Sequence, residues 1–334
     1  LAIMRVLVTG AAGFIGYHVS RQLLARGDEV VGVDNLIAYY DPQLKRDRLA
    51  QLTGHPRFKF SLLDLADVRA TETLLAAGPI DSTVHLAAQA GVRYSQEAPQ
   101  SYAASNVIGT LSVLEACRAR GRHHLVFASS SSVYGESEKF PVAESADVTR
   151  PVSLYAATKM AGELMAFSYV DQYEIAATGL RLFTVYGPWG RPDMAVFKFT
   201  DAILTGHPVD LYAGGVLRRD FTFVEDIAQG ILGAVDHPPA EGGPQFRAYN
   251  LGRGEPASVI DLLTEIECSL GTRATRRSLP PQIGDVNVTF AEIQAAQAEI
   301  GYRPSVSLRE GIPRFVDWYR AYVSHSHAPL RQSA

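Results

Sequence analysis

A glycine triplet close to the start of the chain constrains the fold more than any other feature. Gly10, Gly13 and Gly16 follow the apolar run 6–8 and lead directly into a segment of helical period. Glycine lets the backbone turn tightly and approach a ligand closely. A strand, a glycine turn and a helix in this order begin the α/β folds that bind a dinucleotide pyrophosphate at a helix N-terminus. A purely structural turn is the alternative interpretation.

Apolar runs alternate with segments of helical period through the first half of the chain. This alternation is typical of buried parallel strands joined by crossover helices. The sequence therefore predicts an α/β fold, a Rossmann-type doubly wound parallel sheet. The predicted strands are 5–9, 29–34, 57–62, 82–86, 124–129 and 175–183. The predicted helices are 14–26, 65–77, 99–120 and 152–173.

The alternation loosens after Gly187, where glycine and proline become frequent. Two further helices are predicted over 258–270 and 306–320. We therefore expect a dinucleotide-binding domain and a smaller C-terminal α/β lobe for the substrate. The first domain is predicted to contain 1–186 and segments near 217–253, and the second 187–216 and 254–325.

Composition excludes several classes of partner. The chain has 31 Lys and Arg against 35 Asp and Glu, for a net charge of -4, and no basic block, so nucleic acid is not expected. Its apolar runs are shorter than a membrane span. Cys117 and Cys268 lack CxxC spacing, which favours a reduced cytoplasmic protein. Three residues precede Met4, an order that favours Met4 as the native start.

Two aspartates follow predicted strands on the side of the glycine turn. Asp34 ends the second strand, about twenty residues beyond the glycines, where a carboxylate accepts hydrogen bonds from an adenosine ribose. A carboxylate there repels a 2′-phosphate, so NAD is favoured over NADP. Asp64 follows the third strand at a position suited to the adenine edge. The alternative for Asp64 is a helix N-cap.

Tyr155 and Lys159 form a Y-x-x-x-K motif in a predicted helix, so both side chains lie on one face. Tyrosine is a weak base at its ordinary pKa near 10. A neighbouring ammonium and a positive nicotinamide ring both favour the phenolate. We therefore expect Lys159 to lower the pKa of Tyr155 and to bind the cofactor ribose.

Four serines, 129–132, follow a buried strand at the edge of the sheet where such folds bind ligands. A simple turn is the alternative. The histidines at 85, 123 and 124 lie at strand ends without the spacing of metal ligands, so structural roles and no metal site are expected.

Taken together, these motifs resemble the extended short-chain dehydrogenases/reductases, and within them the bacterial UDP-glucuronate 4-epimerases. The resemblance runs from the first strand to near residue 290, which is nearly the whole chain. The segments that carry it are VLVTGAAGFIG, VVGVDN, HLAAQAGVRYS, SSSSVYG, PVSLYAATK, LRLFTVYGPWGRPDMA, RDFTFVEDIA, YNLG and GDVNVTFAE.

The resemblance implies an NAD-dependent conversion of UDP-glucuronate to UDP-galacturonate. Tyr155 would remove the proton of the sugar 4-hydroxyl while Ser130 hydrogen-bonds the same oxygen. The C4 hydride would pass to NAD and return on the other face of a transient 4-keto sugar. Ser130, Tyr155 and Lys159 would be the catalytic residues. NAD would be held by Gly10, Gly13, Phe14, Ile15, Gly16, Asp34, Asn35, Asp64, Leu65, Ala87, Ala88, Asn106, Tyr155 and Lys159.

The nucleotide part of the substrate has two implied partners. Arg219 matches the family's arginine for the diphosphate, a role that suits a bidentate guanidinium, and a surface ion pair is its alternative. Asp285 matches a position near the uridine ribose. Related epimerases carry an arginine three residues earlier, where this chain has Gln282.

The sugar carboxylate creates a special requirement, because a 4-keto glucuronate is a β-keto acid that loses carbon dioxide readily. The resemblance implies that Ser131, Ser132, Thr184 and Arg191 hold the carboxylate out of alignment with the carbonyl. For Thr184 and Arg191, plain loop structure is the alternative. Related decarboxylases and 4,6-dehydratases carry an acidic residue immediately before the equivalent of Val133, where this chain has Ser132.

Several alternatives remain open at this stage. A UDP-glucuronate decarboxylase would release carbon dioxide, and an epimerase of a neutral UDP-hexose would tolerate the loss of Arg191. An NAD-binding sensor would need no proton-transfer group. The family's homodimers also imply that helices 99–120 and 152–173 pair across a twofold axis into a four-helix bundle. Their apolar faces could instead be covered within the monomer.

Overall fold

The fold is described from a computed structural model that covers residues 3–137, 139–243, 245–281 and 286–325. The strands, in chain order, are β1 Arg5–Thr9, β2 Glu29–Asp34, β3 Phe58–Leu62, β4 Ser82–His85, β5 His123–Ser130, β6 Ile175–Leu182, β7 Thr184–Tyr186, β8 Val209–Tyr212, β9 Arg218–Phe223, β10 Phe246–Leu251, β11 Pro256–Ser258, β12 Arg276–Leu279 and β13 Val288–Thr289. The helices are α1 Phe14–Ala25, α2 Pro42–Thr53, α3 Val68–Ala76, α4 Tyr94–Glu97, α5 Pro99–Tyr102, α6 Gly109–Arg120, α7 Leu154–Gln172, α8 Ala195–Thr205, α9 Val224–Asp236, α10 Val259–Leu270, α11 Gln294–Glu299 and α12 Leu308–His325.

The centre of the molecule is a seven-stranded sheet in the order β10-β6-β5-β4-β1-β2-β3. All its neighbouring strands are parallel. The strand order reverses between β1 and β4, which is the topological switch point where such sheets bind ligands. The predicted Rossmann-type doubly wound sheet is therefore confirmed.

Helices cover both faces of this sheet. This explains why residues 6–8 of β1 are all apolar. Successive strand residues face opposite sides of a sheet. Val6 and Val8 pack in one core with α1 and α9, whereas Leu7 packs in a second core with α6 and α7. Because each face is buried, β1 carries apolar residues on both of its sides.

The structure corrects several of the predicted helices. Helix α3 begins at Val68, because Asp67 caps it by accepting from the amide of Ala70, so an N-cap role for Asp64 is wrong. The predicted helix 99–120 is divided into α5, a π-helical segment 103–108 and α6. Helix α2 was not predicted, although its Asp41 N-cap and following proline are typical of a helix start.

The remaining strands build two small sheets beside the main one. Strand β9 pairs with β7, β11 and β13, and β8 pairs with β12. Helices α8, α10 and α12 pack around a separate apolar core that includes Phe197, Leu262 and Phe315. The segment 217–253, which was predicted to belong to the first domain, contributes to two sheets. Its strand β10 joins the seven-stranded sheet, and its strand β9 joins the four-stranded sheet. Within the described part of the chain, no helix is both long and apolar enough to cross a bilayer.

Candidate active site

A cavity of about 390 Å³ opens at the carboxyl ends of the parallel strands. Gly10 after β1, Asp34 at the end of β2, Ala87 after β4 and Ser130 at the end of β5 all line it. Side chains far apart in sequence meet there because parallel strands end at one edge of the sheet.

The glycine turn has the shape that a dinucleotide pyrophosphate requires. Gly10 has a left-handed φ of +72°, and a Cβ on it would lie 2.7 Å from the amide nitrogen of Ala87. A Cβ on Gly16 would overlap the carbonyl oxygen of Gly10. Helix α1 starts after Gly13, which gives no side-chain cap to the amides of the first turn. Those amides are therefore available to an anion, and the turn fits NAD.

Asp34 is buried and fixes the glycine turn as well as lining the cavity. Its Oδ2 accepts from the amide of Ala12 at 3.1 Å, and its Oδ1 accepts from that of Leu36 at 2.8 Å. The Lys45 ammonium lies 3.7 Å from the same carboxylate. Lys45 belongs to helix α2, so sequence reasoning missed it together with that helix.

The far end of the cavity is lined by Asn35, Asp64 and Leu65, three of the residues predicted to hold NAD. The Asn35 amide donates to Asp64 at 3.1 Å, and the other Asp64 oxygen accepts from the amide of Ala66 at 2.9 Å. Phe14, Ile15 and Ala88 also line the cavity.

Asn106 lies behind the cavity wall instead of lining it. Its side-chain amide donates to the carbonyl of Gln89 and to Thr158, both at 3.0 Å. Its oxygen accepts from the amide of Gln89 at 2.8 Å. These hydrogen bonds hold the loop 87–92, which does line the cavity.

Ser130, Tyr155 and Lys159 lie together in the cavity, as the motifs predicted. Ser153 caps α7 by accepting from the amide of Ala156 at 3.1 Å, so Tyr155 lies in the first turn and Lys159 one turn later. The Ser130 hydroxyl oxygen accepts from the amide of Ser132 at 3.2 Å. The Lys159 ammonium donates to the carbonyl of Ala128 at 2.9 Å.

The protonation of these residues differs from the expectation. Burial raises the pKa of Tyr155, and the Ser130 hydroxyl and the charge of Arg191 oppose this rise only in part. Burial also lowers the pKa of Lys159 to about 8. The pKa of Tyr155 is therefore raised overall, not lowered, because loss of solvation outweighs the neighbouring positive charge.

A buried ion pair ties the serine strand to the catalytic helix. The Ser129 hydroxyl donates to Glu163, which lies one turn beyond Lys159 on α7. Arg181 of β6 binds both oxygens of Glu163, at 3.0 and 2.8 Å. Sequence reasoning missed both charged residues, although Glu163 continues the spacing of Tyr155 and Lys159 along one helix face.

The opposite end of the cavity is lined by Ser131, Ser132, Thr184 and Arg191. The Arg191 guanidinium binds both oxygens of Asp193, at 2.9 and 2.8 Å. Among the described residues that line the cavity, the carboxylates are Asp34 and Asp64, both at the adenine end. The catalytic end therefore carries cationic and hydroxyl groups.

Of the two predicted nucleotide partners, the structure describes Arg219, which is not among the residues that line this cavity. Arg219 lies on β9 outside the lining residues, and its Nη1 donates to the carbonyl of Arg218 at 2.9 Å. Asp285 and Gln282 fall outside the described residues. The adjacent Asp220 is buried, and backbone amides, including that of Arg253 at 2.6 Å, donate to it.

The strand-end histidines hydrogen-bond threonines. His85 lies between Thr9 at 2.7 Å and Thr110 at 3.1 Å, and burial lowers its pKa to about 3. His123 and His124 contact Thr83 and Thr178 in the same way. Within the residues that the structure describes, no group of three or more His, Cys, Asp and Glu side chains is arranged to hold a metal ion.

The Rossmann sheet and the Ser130, Tyr155 and Lys159 group define a dinucleotide-dependent enzyme of the short-chain dehydrogenase/reductase type. Residues 6–252 match the model of the NAD dependent epimerase/dehydratase family. The chain belongs to this family, which confirms the resemblance seen in the sequence, and NAD is the family's cofactor.

Relatives of this chain include both epimerases and a dehydratase. A probable UDP-glucuronate 4-epimerase of Rhizobium meliloti (strain 1021) is 43% identical, with 98% of this chain and 100% of that protein covered. A UDP-glucuronic acid 4-epimerase from Bacillus cereus, crystallised with UDP-glucuronic acid and NAD, is 34% identical with a TM-score of 0.89, covering 96% of this chain and 100% of that one. The dTDP-glucose 4,6-dehydratase DesIV from Streptomyces venezuelae, solved with NAD, is 30% identical, also with a TM-score of 0.89, covering 98% of this chain and 100% of that one. Fold alone therefore does not decide the reaction.

Proposed function

We propose that the protein is an NAD-dependent epimerase that converts UDP-glucuronate to UDP-galacturonate through a transient 4-keto sugar. One observation carries this proposal: Ser130, Tyr155 and Lys159 share a cavity with Arg191. Ser132, which immediately precedes Val133 where related dehydratases usually carry an acid, is consistent with it. Close similarity to UDP-glucuronate 4-epimerases supports it.

The cofactor is proposed to lie along the strand ends, with its pyrophosphate on the glycine turn and its adenosine ribose at Asp34. Asn35, Asp64 and Leu65 would contact the adenine side. Asn106 would act indirectly, by fixing the loop that contains Ala87 and Ala88. When bound, NAD supplies the acceptor and donor for the hydride at sugar C4.

Tyr155 is the proposed acid and base for the 4-hydroxyl, and Ser130 shares a hydrogen bond with the same oxygen. Burial makes the Tyr155 phenolate costly, so it forms only when positive charge stands next to it. Lys159 lies one turn away on α7 and supplies such a charge while also holding the ribose. The proton therefore stays on Tyr155 between its removal from the alcohol and its return.

The carboxylate of the sugar is proposed to bind Arg191 and the hydroxyls of Ser131, Ser132 and Thr184. Decarboxylation of a β-keto acid requires the breaking bond to align with the carbonyl π system. Side chains that hold the carboxylate to one side prevent this alignment. Arg191 is half-buried and lines the cavity, and both oxygens of Asp193 orient its guanidinium.

The experiment that tests the proposal is incubation of the purified protein with UDP-glucuronate, without added NAD, followed by proton NMR. We expect UDP-galacturonate at an equilibrium ratio and no release of carbon dioxide. A UDP-pentose product would identify a decarboxylase instead, and turnover of UDP-glucose in a parallel sample would identify a neutral hexose epimerase. Binding of NAD with no turnover of either sugar would leave only a sensor role.

We also propose the two-domain division described from the sequence, with 1–186 and segments near 217–253 binding NAD. The regions 187–216 and 254–325 would then bind the UDP-sugar. The position of Arg191 in the cavity supports a contribution from the second region. Asp285 and Arg219 remain the proposed partners of the uridine ribose and the diphosphate.

A homodimer through α6 and α7 is proposed from the apolar residues that these helices leave exposed. Leu164 is 64% exposed and Phe167 is 58% exposed on α7, and Ile108 before α6 is 42% exposed. Soluble proteins cover such patches by association. Light scattering should give twice the monomer mass, and Leu164→Glu with Phe167→Glu should give a monomer. An unchanged mass in the double variant would contradict this interface.

A cytoplasmic location is proposed from the cysteines. Cys117 is buried and Cys268 is exposed, and both are free thiols. Unpaired thiols are typical of a reducing compartment. Fractionation of the native host should recover the protein with cytoplasmic markers, and recovery from an oxidising compartment would contradict the proposal.

A further inference from the structure

The turn that precedes Arg191 is held by side chains from the first two helices of the Rossmann sheet. Three successive backbone carbonyls, those of residues 188–190, accept hydrogen bonds from only two buried residues. His18 of α1 donates from Nε2 to Pro188 at 2.8 Å. Arg48 of α2 donates to Trp189 at 3.1 and 2.6 Å and to Gly190 at 3.3 Å.

Arg48 also reaches the glycine turn of the cofactor site. Its guanidinium is 0% exposed, and its Nη1 donates to the carbonyl of Ala12 at 3.1 Å and to the Tyr40 hydroxyl at 2.7 Å. One planar group therefore joins the backbone of the pyrophosphate turn to the backbone before Arg191. A guanidinium donates in several fixed directions, which a lysine ammonium of similar charge does not reproduce.

The backbone at Trp189 needs such support. Its φ is +64°, a left-handed conformation that residues other than glycine rarely adopt. The indole ring packs against Tyr17 at 5.6 Å and against Trp318 and Tyr322 at 5.4 Å. Ring packing and the two bonds from Arg48 together hold the turn, and Arg191 follows two residues later.

We propose that Arg48 is a positioning residue for Arg191 and thereby sets the affinity of the site for a sugar that carries a carboxylate. By fixing Trp189 and Gly190, Arg48 fixes the direction in which Arg191 enters the cavity. The inference rests on the proposed function, because it assigns the sugar carboxylate to Arg191. It adds a residue that lies outside the lining of the cavity.

The test is a double-mutant cycle on the NAD-saturated protein, with Arg48→Lys, Arg191→Ala and the combined variant. Calorimetry measures the Kd of UDP-glucuronate and of UDP, which has no carboxylate. We expect Arg48→Lys to weaken UDP-glucuronate about tenfold and UDP less than about twofold. In the Arg191→Ala background, Arg48→Lys should change the UDP-glucuronate Kd less than about twofold, because the group through which it acts is gone.

The matched control is Arg26→Lys, which changes a partly buried arginine that is ion-paired with Asp28 and Asp236, none of them among the residues that line the cavity. This variant should lower the melting temperature and leave both Kd values unchanged. The inference is overturned if Arg48→Lys weakens UDP and UDP-glucuronate equally, or if its effect multiplies with that of Arg191→Ala. A parent protein that does not epimerise UDP-glucuronate would refute the proposed function instead.

A second variant covers the case in which Arg48→Lys does not fold. Tyr40→Phe removes one hydrogen-bond partner of the guanidinium and keeps its charge. We expect UDP-glucuronate binding to weaken about threefold with UDP binding unchanged. Equal or no change for the two ligands in this variant would overturn the inference.

Discussion

The two ends of the cavity are built by different means. At the cofactor end, Gly10, Gly13 and Gly16 line the cavity, and the shape of their turn follows from one short stretch of chain. At the sugar end, side chains from β5, β7, α7 and the turn before Arg191 meet from distant parts of the sequence. We infer that the cofactor end determines the class of ligand that binds, whereas the sugar end determines which reaction follows.

The relatives support this distinction. A dehydratase and a UDP-glucuronic acid 4-epimerase, both solved with NAD, match this chain with the same TM-score of 0.89. A backbone site for NAD is therefore compatible with either chemistry. The proposed function assigns the difference to side chains such as Ser132 and Arg191 at the sugar end.

The largest effect is expected at the sugar end from Tyr155→Phe, which removes the proton-transfer group. We expect kcat to fall about 1,000-fold, the usual range for loss of a general base, with bound NAD unchanged. Tyr169→Phe is the matched control, because Tyr169 lies on the same helix and bonds Glu115 outside the cavity lining. The prediction is checked by measuring the steady-state kcat and the bound NAD of each variant. A parent rate in Tyr155→Phe would remove Tyr155 from the mechanism.

At the cofactor end, Gly16→Ala should act through the backbone alone. Its Cβ would overlap the carbonyl oxygen of Gly10, so the turn must open. We expect NAD to bind about 100-fold more weakly, in line with the cost of overpacking. Gly54→Ala is the control, because a Cβ there meets nothing within 4 Å. Fluorescence titration with NAD distinguishes the variants, and equal affinities would show that the turn does not need a glycine at this position.

Arg191→Ala should affect ligand binding at the sugar end and not at the cofactor end, because it removes a cation that lies at the sugar end. We expect UDP-glucuronate binding to weaken about 30-fold, the typical loss for a hydrogen-bonded charge pair, while NAD affinity stays the same. Some UDP-pentose should also form, because the carboxylate is no longer held out of alignment. Arg314→Ala, which breaks an exposed ion pair with Glu225, serves as the control. An unchanged KM for UDP-glucuronate would show that Arg191 does not bind the substrate and would favour the alternative of a purely structural role in the loop.

The smallest effect is expected when pH changes the protonation of Lys159, which is proposed to contact both the cofactor ribose and Tyr155. Because burial lowers the pKa of Lys159 to about 8, its positive charge is present below that pH and lost above it. We expect kcat/KM to decline about tenfold between pH 8 and 9 as the phenolate of Tyr155 loses its neighbouring cation. Circular dichroism over the same range checks that the protein stays folded. A flat profile up to pH 10 would contradict this role of Lys159.

The sequence predicted the cofactor end well because its determinants are local. The spacing of Gly10, Gly13 and Gly16, with Asp34 at the next strand end, is sufficient to place the turn. Lys45 was not predicted, because it lies on α2, a helix between β2 and β3 whose apolar residues show only a weak helical pattern. Asn106 was expected at the cofactor, but a π-helical segment turns its amide toward Gln89.

The sugar end was predicted by resemblance more than by physical reasoning. Motifs brought Ser130, Tyr155 and Lys159 together correctly, since each follows a strand end or a helix start. The raised pKa of Tyr155 was not predicted, because burial depends on neighbours that sequence spacing does not reveal. The contacts of Arg48 join residues 141 positions apart, and no local pattern indicates such a pair.

The central claim is that the sugar end of the cavity returns the same hydride to C4 and also keeps the carboxylate in place. The most direct test is to incubate UDP-glucuronate labelled with deuterium at C4 in ordinary water and to examine the product by NMR and mass spectrometry. The account predicts UDP-galacturonate that retains both the deuterium at C4 and the C6 carboxylate. Loss of the label to water, or a product one carbon shorter as the main species, would contradict it.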